Sequence, residues 1–129
     1  MGTSPEELGQ LLRRVRSRRV MACLDTAHAY AAGELDPSPE GVKDLIKKWE
    51  RHIGLRRLLV IHANDSQTSF GSAADRHENI GRGHIGLKGF RCLAKERDLW
   101  GADWILEVPG FKHNGPDKEN LEILKKCFR

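Results

Sequence analysis

"RLLVIHAND", residues 57–65, runs four consecutive apolar residues, Leu58 to Ile61, straight into His62 without a polar interruption. A strand that faces water on one side alternates polar and apolar residues. A continuous apolar run suits a strand of a parallel sheet, covered on its faces. Two further segments have the same character: "RVMACLDTA" at 19–27 and "DWILEV" at 103–108. Between them lie helical patterns. "SPEELGQLLRRVRS" opens with Ser4 as N-cap, Pro5 at the first helical position and Glu7 in capping-box position. "SPEGVKDLIKKWERHIG" repeats that start at Ser38-Pro39, carries Val42, Leu45, Ile46 and Trp49 as its stripe, and closes at Gly54. "GLKGFRCLAKERDLWG" and "DKENLEILKKCF" supply two more helices. Alternation of helix and strand predicts an α/β fold of three parallel βα units behind a leading helix. Residues 1–129 read as a single domain, with no linker or low-complexity tract.

Composition narrows the class. Apolar residues make up 39% and charged residues 31% of the chain, as in a globular protein. No apolar run is long enough to cross a bilayer, so no membrane partner is expected. Cys23, Cys92 and Cys127 are odd in number and lack CxxC spacing. That argues against a disulfide framework and a thiolate zinc site, and for three reduced, mostly buried thiols in a cytoplasmic protein. The net charge of +4 is compatible with a polyanionic partner without requiring one.

Each apolar segment ends in a potential ligand: Asp25, His62 and Glu107. In parallel α/β folds, sites form at the carboxyl ends of strands, so these side chains are expected to meet. Asp25 and His28 form D-x-x-H as the first strand runs into its loop. Asp75 and His77 form D-x-H inside "DRHENIGRGHIG", residues 75–86, where an extended backbone would point both the same way. Imidazoles and carboxylates without thiolates suit zinc, manganese or iron at a hydrolytic or isomerising centre. A single Asp or His in such a place is more often a helix cap or a loop hydrogen bond. Six of them at three strand ends and one loop argue for a metal centre.

The segments "CLDTAHAYAAGELD", "HANDSQTSFGSAADRHENIGRGHIG" and "ILEVPG…GPDKENLEIL", in that order, resemble the C-terminal part of the endonuclease IV family. The resemblance runs from "SPEELGQLLRRV" onward, and the D-R-H-x-x-I-G-x-G-x-I-G block is its most specific element. It implies a zinc-dependent apurinic/apyrimidinic endonuclease on a TIM (β/α)8 barrel of the xylose isomerase-like kind. The implied substrate is double-stranded DNA, cut by zinc-activated water at the phosphate 5′ to an abasic site after the damaged nucleotide is flipped out. By the same resemblance, Asp25, His62 and Glu107 would hold one zinc of a catalytic pair. His28, Asp75 and His77 would form a complete set for a third zinc, and Arg76 becomes a candidate DNA phosphate contact.

The sequence also departs from that family. Its remaining zinc ligands, two histidines and a bridging glutamate, lie on earlier strands. Here no histidine precedes His28, and Glu6 and Glu7 are the only acids before Asp25. The expectation is therefore the last three βα units of an eight-unit barrel, with a zinc pair incomplete in this chain alone. Self-association, or a partner supplying the missing strands, would complete it. The rivals are a non-catalytic zinc-binding barrel fragment and a sugar isomerase or epimerase of the related superfamily. Gln67 stands where the family often has lysine, and Val108 where threonine is common. The basic runs "RRVRSRR" (13–19) and "RHIGLRR" (51–57) both precede strands, so they belong to the face opposite the ligands and read as solvated helix ends. His52, His84 and His113 read as helix-end, loop and turn residues, and the three tryptophans as packing residues.

Overall fold

The computed structural model describes residues 4–129. Helix α1 (Pro5–Val15) starts where Ser4 accepts a hydrogen bond from the Glu7 amide at 3.2 Å. Strand β1 (Ala22–Asp25) runs directly into a six-residue helix, α2 (Thr26–Ala31), capped by Asp25. Helix α3 (Pro39–His52) begins at Ser38, whose hydroxyl accepts from the Gly41 amide. Strand β2 is Leu58–His62. Two short segments, β3 (Asp65–Ser66) and β4 (His77–Glu78), pair antiparallel with Asp65 opposite Glu78 and Ser66 opposite His77. Helix α4 (Gly86–Lys95), strand β5 (Asp103–Ile105) and helix α5 (Lys118–Cys127) complete the order.

The main sheet has three parallel strands in the order β1-β2-β5, as the apolar runs predict. Leu24 lies beside Ile61, and Ile61 beside Trp104, on the face that the helices cover. Val42, Leu45, Trp49, Phe90, Leu93 and Leu124 pack onto that face and form one core. The other face is open. Cys23 is exposed, and Leu59 and Ile105 keep 47% and 46% of their surface accessible. The expectation of a sheet covered on its faces is thus met on one side only. The strand residues are apolar on both faces, yet among the described residues helices pack against just one of them.

Several local expectations need correction. His28 sits on α2, not in a loop, because Asp25 caps a helix that starts immediately at the strand end. The pattern 86–101 does not form one helix: α4 ends at Lys95, and a 3-10 turn (Arg97–Leu99) follows. Only Cys127 among the thiols is buried; Cys92 is half-buried, and Cys23 lies on the open sheet face. Trp100 is half-exposed, its ring edge-on to Phe128 and the Arg97 guanidinium over it.

Candidate metal centre

Asp25 and His62 are direct neighbours across the β1–β2 pairing, at the last position of each strand. Residues opposite each other in register share a face of the sheet, so both side chains stand on the open side. Glu107 follows β5 by two residues and reaches the same place: its Oε2 lies 3.1 Å from His62 Nδ1, while Asp25 Oδ2 lies 3.8 Å from that nitrogen. The β3–β4 ribbon brings in the second group. His77 Nε2 is 3.4 Å from Asp25 Oδ2 and 3.7 Å from Asp75 Oδ1. His28 Nδ1 is 3.1 Å from the other Asp75 oxygen.

Two sets of potential ligand atoms therefore converge, Asp25–His62–Glu107 and Asp25–Asp75–His77, each with its atoms within 4.8 Å of one another. The six residues singled out by the sequence lie in one region, with one difference in grouping. Asp25 belongs to both sets, and His28 touches the second through Asp75. The cause is local: Asp25 Oδ1 caps α2 by accepting from the His28 amide at 3.0 Å, which leaves Oδ2 facing both His62 and His77. Among the described residues, no lysine or arginine pairs with Asp25, Asp75 or Glu107; the partners of these carboxylates are imidazoles, the Asn64 side-chain amide and the His28 backbone amide. Carboxylates gathered without a fixed cation, with imidazoles between them, are a donor set that fits a divalent metal such as zinc.

Asn64, overlooked in the sequence, ties the three strands together. It is fully buried. Its Nδ2 donates to Asp25 Oδ2 at 3.3 Å and to Glu107 Oε2 at 3.4 Å, and its Oδ1 accepts from the Glu107 amide at 2.8 Å. Thr26 holds it in turn: the Asn64 amide donates to Thr26 Oγ1, and that hydroxyl donates back to the Asn64 carbonyl. Asp65 is the second residue missed. Fully buried, it has no cationic partner among the described residues and accepts from the backbone amides of Ser66, Gly81, Gly83, Ile85 and Gly86. The glycines permit this. Gly81 and Gly86 have φ of +86° and +72°, and a Cβ on Gly83 would strike the Ser66 carbonyl and approach Asp65 Oδ1 to 2.6 Å. The loop of "DRHENIGRGHIG" is thus wrapped around one buried carboxylate.

Other residues sit at the rim. Arg76 is exposed, its guanidinium in no ion pair among the described residues, and its carbonyl accepts from the Gln67 amide. Gln67 Nε2 donates to the His77 carbonyl at 2.9 Å, bracing the strand that carries His77. His77 Nδ1 lies 3.3 Å from the Glu107 carbonyl oxygen. His84 contributes its backbone amide, to the Ser66 carbonyl, and His52 pairs with Glu6 at 3.5 Å, far from the cluster. Cys23 stands near Asp25 and Glu107; desolvation pushes its thiol pKa up, a backbone hydrogen bond from His62 lowers it, and the two carboxylates raise it further.

Known proteins give this arrangement a context. The chain is 35% identical over its whole length to a protein named probable endonuclease 4 from Aquifex aeolicus, of which it covers 45%. It is 38% identical over 99% of its length to the Thermotoga maritima protein of the same name, covering 43% of it. It superposes on the crystal structure of endonuclease IV from Thermus thermophilus with a TM-score of 0.80 and 33% identity, across 98% of this chain and 44% of that one. The chain therefore spans under half the length of these relatives. The open sheet of parallel βα units is what part of a barrel would present. The family model described as xylose isomerase-like TIM barrel matches residues 1–127, and the chain belongs to that family.

Proposed function

We propose that this chain carries part of the zinc centre of an endonuclease IV-like DNA repair enzyme, which hydrolyses the phosphodiester 5′ to abasic sites in duplex DNA. One observation carries the reading: Asp25, His62 and Glu107 converge at the carboxyl ends of three adjacent parallel strands, beside Asp75 and His77. Asp25, His62 and Glu107 would hold one zinc; His28, Asp75 and His77 would hold another. Zinc, when bound, supplies Lewis acidity toward water and toward the phosphate. The remaining work falls to this chain's own residues. Asn64 fixes the carboxylates of Asp25 and Glu107 in one orientation. Gln67 steadies the His77 strand, and Arg76 is free at the rim to meet a DNA phosphate. The similarity to proteins named endonuclease 4 favours this chemistry over sugar isomerisation.

The chain corresponds in this reading to the last three βα units of the barrel, and the rest of the strands complete the zinc pair. It acts in the cytoplasm, where its three unbridged cysteines stay reduced. Among the described residues, no helix is long and apolar enough to cross a membrane. The open sheet face favours a second reading, in which the chain holds zinc without turnover. The zinc-loaded chain is to be assayed on a duplex with a single abasic site. Cleavage leaving a 3′-hydroxyl and a 5′-deoxyribose phosphate, lost in Glu107→Gln, supports the enzyme. Absence of cleavage with zinc retained supports the non-catalytic reading. Turnover of a sugar in a screen would overturn both.

A further inference from the structure

Positive charge is not spread evenly over this molecule. Residues 13–19 contain five arginines, residues 51–57 three more, and neither run contains an acid or a lysine. Against a net charge of +4, these eight arginines leave −4 for the rest of the chain. The fold gathers both runs. Residues 16–21 lead into β1 and residues 53–57 into β2, and those strands are parallel neighbours, so both runs lie at the amino end of the sheet. Arg13 donates to the His52 carbonyl at 3.4 Å, joining the first run to the second, and the Arg57 guanidinium donates at 3.3 Å to the carbonyl of Val20, the residue that follows the first run.

The helix dipole accounts for only part of this. Arg13 and Arg14 lie in the last turn of α1 and Arg51 in that of α3, where cations are favoured. Arg18, Arg19, Arg56 and Arg57 lie outside any α-helix. Among the described residues, none of the eight pairs with a carboxylate: Glu50 accepts from the Leu55 amide, and Glu6 faces His52. Like charges crowded without counter-charge repel one another, and the planar guanidinium fork matches phosphate oxygens better than lysine does. The chain holds nine lysines and places none of them in either run.

We propose that this arginine face, opposite the metal centre, is a second nucleic-acid surface that binds the phosphate backbone of a duplex without reading its sequence. Choosing nucleic acid over another polyanion rests on the reading of the chain as a DNA-acting protein. The experiment separates the two: it uses an intact labelled duplex with EDTA present, so neither zinc nor an abasic site enters. Binding is measured against salt for the wild type, for Arg18→Gln/Arg19→Gln/Arg56→Gln, and for the charge-matched control Lys43→Gln/Lys47→Gln/Lys125→Gln. The arginine triple is expected to flatten the log–log salt slope by about 2 to 3 and weaken binding at least about tenfold. The control should keep the wild-type slope, and Arg→Lys at the same three positions should restore it. If far-UV circular dichroism shows the triple unfolded, Arg56→Gln alone should reduce the slope by about 1. An unchanged slope in the arginine variants, an equal loss in the lysine control, or binding to anionic phosphatidylserine vesicles but not to the duplex overturns the proposal.

Discussion

Asp65 and Asn64 organise the centre without belonging to its ligand sets. Asp65 is a buried carboxylate whose partners among the described residues are backbone amides. Asp65→Ala would strand those amides without partners, and a single unsatisfied buried group costs about 1–3 kcal/mol. We expect a loss of about 3 kcal/mol or more in a urea titration, with Gly83→Ala also destabilising, because its Cβ would collide with the Ser66 carbonyl. Asn64→Ala should fold but hold zinc about 10–100-fold more weakly in chelator competition, since groups that orient metal ligands have effects of that size. Unchanged affinity would mean that Asn64 is only a strand tie. Asp25, His62 and Glu107 were legible in the sequence because apolar strands end on them. Asn64 and Asp65 were not. They sit in the same polar tail as His62, and nothing in "HAND" says which side chains turn inward. That depends on the glycine loop arriving from 81–86 to meet Asp65.

Among the elements, α1 and α3 announced themselves through their starts, Ser-Pro at 4–5 and 38–39. Helix α2 and the β3–β4 ribbon stayed hidden, because six residues and two-residue strands are too short to show a period. Those hidden pieces decide the grouping of ligands, since α2 makes Asp25 a cap and the ribbon delivers His77 to it. Asp117 offers a pH test at this scale. The amides of Asn120 and Phe111 donate to its carboxylate and hold its pKa below the ordinary range. A carboxyl whose folded pKa is depressed contributes stability above its unfolded pKa, and loses it as pH falls through the folded one. The urea midpoint of Asp117→Ala should therefore lie below that of the wild type at neutral pH, and the gap should close as the pH falls below about 4. A gap independent of pH would contradict a charge-dependent cap.

The whole molecule is a sheet with one clothed face and one bare face. The bare side holds both the ligands and exposed Leu59 and Ile105, and the edges of β1 and β5 pair with no other strand among the described residues. Unpaired parallel edges and an apolar open face favour association. Light scattering should give a mass above the 14.6 kDa of one chain, rising with concentration, and Leu59→Lys should lower it. A monomer at all concentrations would contradict that account. The order of βα units was legible from the apolar runs, but the bare face was not, because a buried strand and one awaiting cover have the same composition. The proposed zinc centre gathers Asp25, His62 and Glu107 at the strand ends, with Asp75 and His77 beside Asp25. It is tested most directly by equilibrium dialysis against zinc, followed by elemental analysis of wild type and Asp25→Asn, a change that can keep the α2 cap. The account predicts zinc retained by the wild type and less zinc per chain in the variant, which keeps only the His28, Asp75 and His77 set; equal zinc in the two proteins, or none in the wild type, would contradict it.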